Sequence, residues 1–152
     1  MFSRTSESER PPTVLCVDDE ADGLRLRTLI LEDSGYTVLS STHPARALDM
    51  IEAQQVDAAV VDYHMPCMDG AALSASLKKR KPYLKVIMLS GSLVPQQDLK
   101  CVDSFVSKGD GTSQLLRILA SYFPGHELPA TRTTSNPDTS RGQLCIPIAD
   151  TF

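Results

Sequence analysis

From Thr13 onward, short apolar runs alternate with longer segments of helical spacing. Residues 14–17, 36–40, 58–61, 85–89 and 104–107 are rich in β-branched and apolar side chains, and polar or turn-forming positions bound them, so each is a predicted strand. Between and after them lie predicted helices at 22–33, 44–54, 71–81 and 112–122, with a short helical stretch near 96–100. Five βα units in succession imply a parallel sheet covered on both faces.

The helices rest on spacing and punctuation. Leu26, Leu29 and Ile30 recur at i, i+3 and i+4, Leu24 and Leu31 widen that face, and Gly35 stands where the helix should stop. Leu73 and Leu77 are one turn apart, and Pro82 ends their helix after Lys78, Lys79, Arg80 and Lys81. These four cations complement the negative end of the helix dipole and are otherwise read as solvated. Leu115, Leu116 and Leu119 give the last helix a sheet-facing stripe.

Size and charge narrow the class. A chain of 152 residues is long enough for one well-buried domain, placed at 13–123. The net charge of -4 argues against direct nucleic-acid binding. No apolar stretch reaches the roughly 18 residues that span a bilayer, and the N-terminus lacks the apolar core of a signal peptide, so membrane insertion is not expected and a cytoplasmic location is. Cys16, Cys67, Cys101 and Cys145 show no CxxC spacing and are read as reduced thiols. Residues 1–12 have little to bury and read as a flexible lead; residues 124–152, rich in Thr, Ser, Pro and Gly, read as a disordered tail too short for an effector domain.

Three of the apolar runs end in charge. Asp18 and Asp19 follow the first, Asp62 the third and Lys108 the fifth. An unpaired carboxylate is too costly to bury, so such an ending reads as a core strand delivering its last side chain to the rim of the sheet. A doubly wound sheet in the order 2-1-3-4-5 has its switch point between the first and third strands, where ligands bind at the carboxyl ends. Asp18, Asp19 and Asp62 lie at those ends, with Ser90 and Lys108 reaching the same rim. An acidic pocket with one lysine suits a divalent cation and a phosphoryl group.

The segments Val-Asp-Asp-Glu at 17–20, Val-Asp-Tyr-His-Met-Pro-Cys-Met-Asp-Gly at 61–70, Met-Leu-Ser-Gly at 88–91 and Phe-Val-Ser-Lys at 105–108 together resemble the receiver domain of two-component response regulators, over about residues 12–123. The resemblance implies a flavodoxin-like α/β fold and a stand-alone receiver. It implies Asp62 as phosphoacceptor, fed by a sensor histidine kinase or a histidine phosphotransfer protein. It implies Mg²⁺ (or Mn²⁺) held by Asp18, Asp19, Asp62 and the main-chain carbonyl of His64. Ser90, Gly91 and Lys108 would meet the phosphoryl oxygens, Phe105 would turn inward on activation, and His64 and Ser92 would modulate the phosphoryl lifetime. The downstream protein is unknown, and a homodimer through the 96–106 face is open.

Two departures stand out. Gly109 follows Lys108 where the family commonly has a cis proline, and a non-proline cis bond costs about 2.5 to 4 kcal/mol, which argues against a cis bond there and leaves the geometry of that bond open. The segment from Ser90 to Lys108 is short, which puts the fourth helix and its output face in question. The alternatives are a phosphorylation-independent pseudo-receiver and, less favoured, an aspartate-nucleophile phosphatase. The latter would need Asp-x-Asp where this chain has Asp18-Asp19-Glu20.

Overall fold

A computed structural model describes residues 10–126. Five strands, β1 (Thr13–Val17), β2 (Thr37–Ser41), β3 (Ala58–Asp62), β4 (Lys85–Ser90) and β5 (Ser104–Ser107), form one parallel sheet in the order β2-β1-β3-β4-β5. The crossovers are the helices α1 (Ala21–Asp33), α2 (Pro44–Ala53) and α3 (Gly70–Arg80), and a single 3-10 turn, Gln96–Leu99, between β4 and β5. A second 3-10 turn, Lys108–Asp110, leads into α4 (Thr112–Tyr122). The predicted strand order and helix positions hold, with ends shifted by a residue or so.

Every residue of β1 and of β3 is buried, as expected for central strands covered on both faces. Their side chains alternate. Val14, Cys16, Ala58 and Val60 join Leu24, Leu31, Leu115 and Leu119 in the layer under α1 and α4. Leu15, Val17, Ala59 and Val61 join Ala47, Ile51, Leu73 and Leu77 under α2 and α3. Each such leucine or isoleucine contributes roughly 1.5 to 3 kcal/mol by leaving water. Burial also pushes the Cys16 thiol up to about 12, so it behaves as a small apolar side chain.

Two expectations need correction. The apolar face assigned to α1 is not the one it buries: Leu26 and Leu29 are 60% and 56% exposed, while Leu24 and Leu31 are in the core. The position between them on the buried stripe is Arg27, one turn from each, so the polar residue displaced the apparent apolar period. The cations ending α3 are also not all solvated. Lys78 Nζ lies 2.8 Å from Asp103 Oδ2, and Arg80 Nε lies 3.7 Å from Glu52 Oε2 on α2.

Asp103 closes the β4–β5 edge. Its carboxylate accepts the Val86 N–H at 2.8 Å, and its own N–H donates to the Val86 carbonyl at 2.8 Å. Burial raises its pKa, but the Lys78 ammonium and the Val86 amide outweigh that and hold the carboxyl below its ordinary value. Of the expected N-terminal lead, Arg10 reaches Asp57 Oδ1 at 3.2 Å and the Pro12 carbonyl accepts the Thr37 N–H. Residues 1–9 and 127–152, with the rest of that lead, Cys145 and the tail beyond His126, lie outside the described residues.

Gly70, the first residue of α3, lets that helix abut the end of β3. A Cβ there would sit 2.6 Å from the Asp62 carbonyl oxygen and 2.8 Å from Tyr63 Cα, both backbone atoms. Its N–H donates to the Tyr63 carbonyl at 2.8 Å, and Asp69 caps the helix by accepting the Ala72 N–H. Gly70→Ala is expected to destabilise the fold by about 1 to 3 kcal/mol in urea unfolding, the range for overpacking a rigid site. An unchanged midpoint would show that α3 can move away from β3.

Candidate functional site

The sheet's alternation determines which charges meet. Asp18 and Asp62 continue the rows Val14, Cys16 and Ala58, Val60, which face α1 and α4, and Val17 pairs with Val61 just before them. Two carboxylates are thereby brought side by side, 1% and 4% exposed. Asp19, on the loop, is exposed. One oxygen from each of Asp18, Asp19 and Asp62 lies within 4.8 Å of the others.

Such a cluster requires positive charge. Lys108, immediately after β5, places Nζ 2.7 Å from Asp62 Oδ1 and 3.6 Å from Asp18 Oδ2. Burial favours the neutral amine, but the hydrogen bond to Asp62 and the charges of Asp18 and Asp62 outweigh it and raise the Lys108 pKa. For Asp62 burial dominates and raises the pKa; the Lys108 hydrogen bond opposes it, and Asp18 and Asp19 add like charge. The Asp18 oxygens are also engaged: Oδ1 accepts the Glu20 N–H at 3.0 Å, and Oδ2 accepts Arg27 Nη2 at 3.2 Å.

Ser90 ends β4 buried, and its hydroxyl is turned to its own loop. It donates to the Ser92 carbonyl at 2.9 Å and accepts the Ser92 N–H at 3.1 Å. Gly91 and Ser92 are exposed, and a Cβ on Gly91 would meet nothing within 4 Å. Ser92 Oγ lies 2.9 Å from His64 Nε2, joining the loops after β3 and β4. Beside it, the Tyr63 hydroxyl donates to Asp98 Oδ2 at 2.6 Å, which raises the tyrosine pKa and ties the 3-10 turn to the same loop. Phe105 on β5 is 36% exposed.

The expected residues therefore lie at one end of the sheet, except Phe105, which pairs with Met88 further back along β4. Asp18, Asp19, Asp62 and Lys108 converge directly; Ser90 is adjacent but engaged with Ser92; His64 and Ser92 contact one another. Among the described residues no peptide bond is cis, so Lys108–Gly109 is trans. Ser107 Oγ instead accepts the Gly109 N–H at 3.3 Å, and Gly111 turns the chain into α4 at a φ of 79°. Sequence reasoning missed Arg27 and the Tyr63–Asp98 pair. A cation on the Leu24–Leu31 stripe was a visible signal for the first; nothing local marked the second.

Comparison with known proteins decides the family. Residues 14–119 match the family described as the response regulator receiver domain. The chain belongs to that family. A transcriptional-regulator sequence of Pseudomonas aeruginosa is 31% identical over 140 residues, covering 84% of this chain and 67% of that protein. The transcriptional regulatory protein GlrR of Escherichia coli is 35% identical over 83 residues, 55% of this chain. The match spans 19% of GlrR, so the activity of that whole protein is its own. Among solved structures, a CheY-like receiver domain from Methanospirillum hungatei aligns at a TM-score of 0.70 with 26% identity, covering 75% of this chain and 94% of that one. The response regulator TrrA of Thermotoga maritima, solved with Mg²⁺ and BeF, aligns at 0.69 with 22% identity, over 73% and 98% of the two chains. This receiver is thus a two-component signalling module with the flavodoxin-like fold. Among its described residues, no helix is long and apolar enough to cross a membrane.

The raised Asp62 pKa carries a sign. Folding favours the protonated carboxyl, so its stabilisation is present below the ordinary value of 3.8 and is lost as pH rises through the raised folded value. At neutral pH the ionised Asp62 therefore costs stability. Asp62→Asn is expected to melt higher than the parent at pH 7, by a few degrees, about what 1 kcal/mol gives a domain of this size. The gap should narrow as the buffer is taken down to 3.8. Calorimetry across pH checks this; a lower melting temperature at pH 7 would mean that the Lys108 bond outweighs burial.

Proposed function

We propose that Asp62 is the phosphoacceptor of this receiver and that Asp18 and Asp19 join it in holding Mg²⁺ or Mn²⁺, with the His64 main-chain carbonyl as a further ligand. The carrying observation is the convergence of three carboxylates at the switch point of the sheet, with Lys108 Nζ 2.7 Å from Asp62. Carboxylate oxygens in an open, partly exposed cluster suit a hard divalent ion that keeps waters and takes phosphate oxygens. When bound, the ion supplies charge neutralisation for phosphoryl transfer.

The chain's own residues supply the rest. An Asp62 oxygen attacks the phosphorus of a phosphohistidine, the P–N bond breaks, and the imidazole nitrogen takes the electron pair and then a proton. Lys108 faces the same oxygen and would follow the charge onto the phosphoryl group. Ser90 would exchange its Ser92 carbonyl for a phosphoryl oxygen, and Gly91 leaves the approach open. Freed from Ser90, the loop bearing Ser92 would shift, and with it the 3-10 turn and the half-exposed Phe105. The donor is a sensor histidine kinase or a histidine phosphotransfer protein, and the receiver signals by partner binding or onward transfer. We place it in the cytoplasm, where kinases with receiver-like segments would meet it. A GacS sensor histidine kinase from Pseudomonas protegens is 38% identical over 72 residues, within 8% of its own length.

Intact-mass analysis after incubation with acetyl phosphate and Mg²⁺ tests the reading. One phosphoryl adduct is expected on the parent, and none on Asp62→Ala or without the metal. A folded parent that takes no adduct from acetyl phosphate or from phosphorylated kinase would favour the phosphorylation-independent binding module. His64 offers a second readout, because its ring holds Ser92 and with it the Ser90 loop. His64→Ala is expected to change the decay rate of the adduct, measured by loss of the mass shift over time. Equal rates would remove His64 from the account.

A further inference from the structure

Arg27 is the feature that neither the family assignment nor the proposed chemistry uses. It sits on the stripe of α1 that faces the sheet, between the buried Leu24 and Leu31, and its side chain is only 11% exposed. Its guanidinium reaches Asp18 Oδ2 at 3.2 Å, the same oxygen that Lys108 approaches at 3.6 Å. Asp18 is therefore not a free ligand. It already carries one resident cation from α1 and shares another from the end of β5.

The pairing is incomplete on the arginine side. Nη1 is buried without a hydrogen-bond partner, so one hydrogen bond to Asp18 holds a group that could make five. A half-satisfied guanidinium is cheaper to move than a bidentate one. There is also somewhere for it to go. A cavity of about 270 Å³ adjoins it, lined by Asp18, Glu20, Arg27, Lys108, Gly111 and Thr112 among others, and Glu20 offers a second carboxylate there.

We propose that Arg27 is an internal competitor for the divalent ion: it neutralises buried Asp18 in the metal-free state and must yield that oxygen when the ion binds, which weakens metal affinity. This rests on the proposed metal role of Asp18, Asp19 and Asp62. A unit positive charge a few ångströms from a divalent ion in a partly desolvated site opposes binding directly, and the shared oxygen adds competition for a lone pair. The arginine is then a positioning and tuning residue. It keeps the carboxylates together in the absence of metal and sets the ion concentration at which the site becomes competent.

Mn²⁺ titration followed by electron paramagnetic resonance of the free ion reads affinity without any phosphoryl transfer. Arg27→Met and Arg27→Gln are expected to bind Mn²⁺ about tenfold more tightly than the parent. Arg27→Lys, which keeps the charge, should stay near the parent. Melting temperatures recorded alongside should fall for the neutral variants without metal and rise more on adding Mn²⁺ than the parent's does. A purely structural arginine predicts the opposite order, because loosening Asp18 would leave affinity unchanged or reduced. Binding by a parent that Arg27→Gln matches or falls below overturns the competitor role alone. No binding by the parent or by either neutral variant overturns it together with the metal reading. A parent that does not bind beside a neutral variant that does would support it in its strongest form.

Discussion

The site depends on how negative charge is tolerated at one end of a sheet that is otherwise apolar. Alternation along β1 and β3 forces Asp18 and Asp62 to the same side, one position beyond a pair of buried valines. Two nearly buried carboxylates that close repel one another. Lys108 and Arg27 are the compensation, one from the loop after β5 and one from α1. Because these cations come from elements on opposite sides of the cluster in sequence, the ends of β1, β3 and β5 and the face of α1 are coupled electrostatically. A change in charge at Asp62 is felt by all of them.

Much of this was legible in the chain. Short apolar or apolar-rich runs that stop at a charge, at the ends of the first, third and fifth predicted strands, place Asp18, Asp62 and Lys108 at the rim. Five βα units implied a parallel sheet, and the order 2-1-3-4-5 is that of the flavodoxin-like fold the receiver resemblance implies. The α1 face was not legible in the same way. Leu26, Leu29 and Ile30 satisfy helical spacing as well as Leu24 and Leu31, and what selects between the two faces is a long-range fact: Arg27 has a carboxylate to meet on the sheet side. An arginine scores as polar in any periodicity, so a buried arginine with a partner nine residues away inverts the apparent amphipathicity. The Tyr63–Asp98 bond was invisible for a related reason, since its partners are thirty-five residues apart and joined only by the fold.

The segment between β4 and β5 shows how a shortened crossover is kept in place. A 3-10 turn of four residues has no buried residue of its own to anchor it. Polar bonds share that work with Val102, which packs against the core under α2 and α3: Tyr63 to Asp98, His64 to Ser92, and the Val86–Asp103 pair at its far end, backed by Lys78. Bonds of this kind contribute about 1 kcal/mol each, more where a charge is involved, far less than a buried helix face would. Two of these anchors, Tyr63 and His64, are the residues directly following Asp62. A crossover fastened by a few exchangeable hydrogen bonds to the chain next to the proposed phosphoacceptor can be released by a small change there. One packed through an apolar face would need a larger change. Under the proposed switch, a modest difference in bonding at Ser90 and Ser92 would redistribute the conformations of the surface around Phe105. Under the proposed switch, the brevity of this crossover, a four-residue 3-10 turn in place of a longer helix, would make its surface responsive to the site.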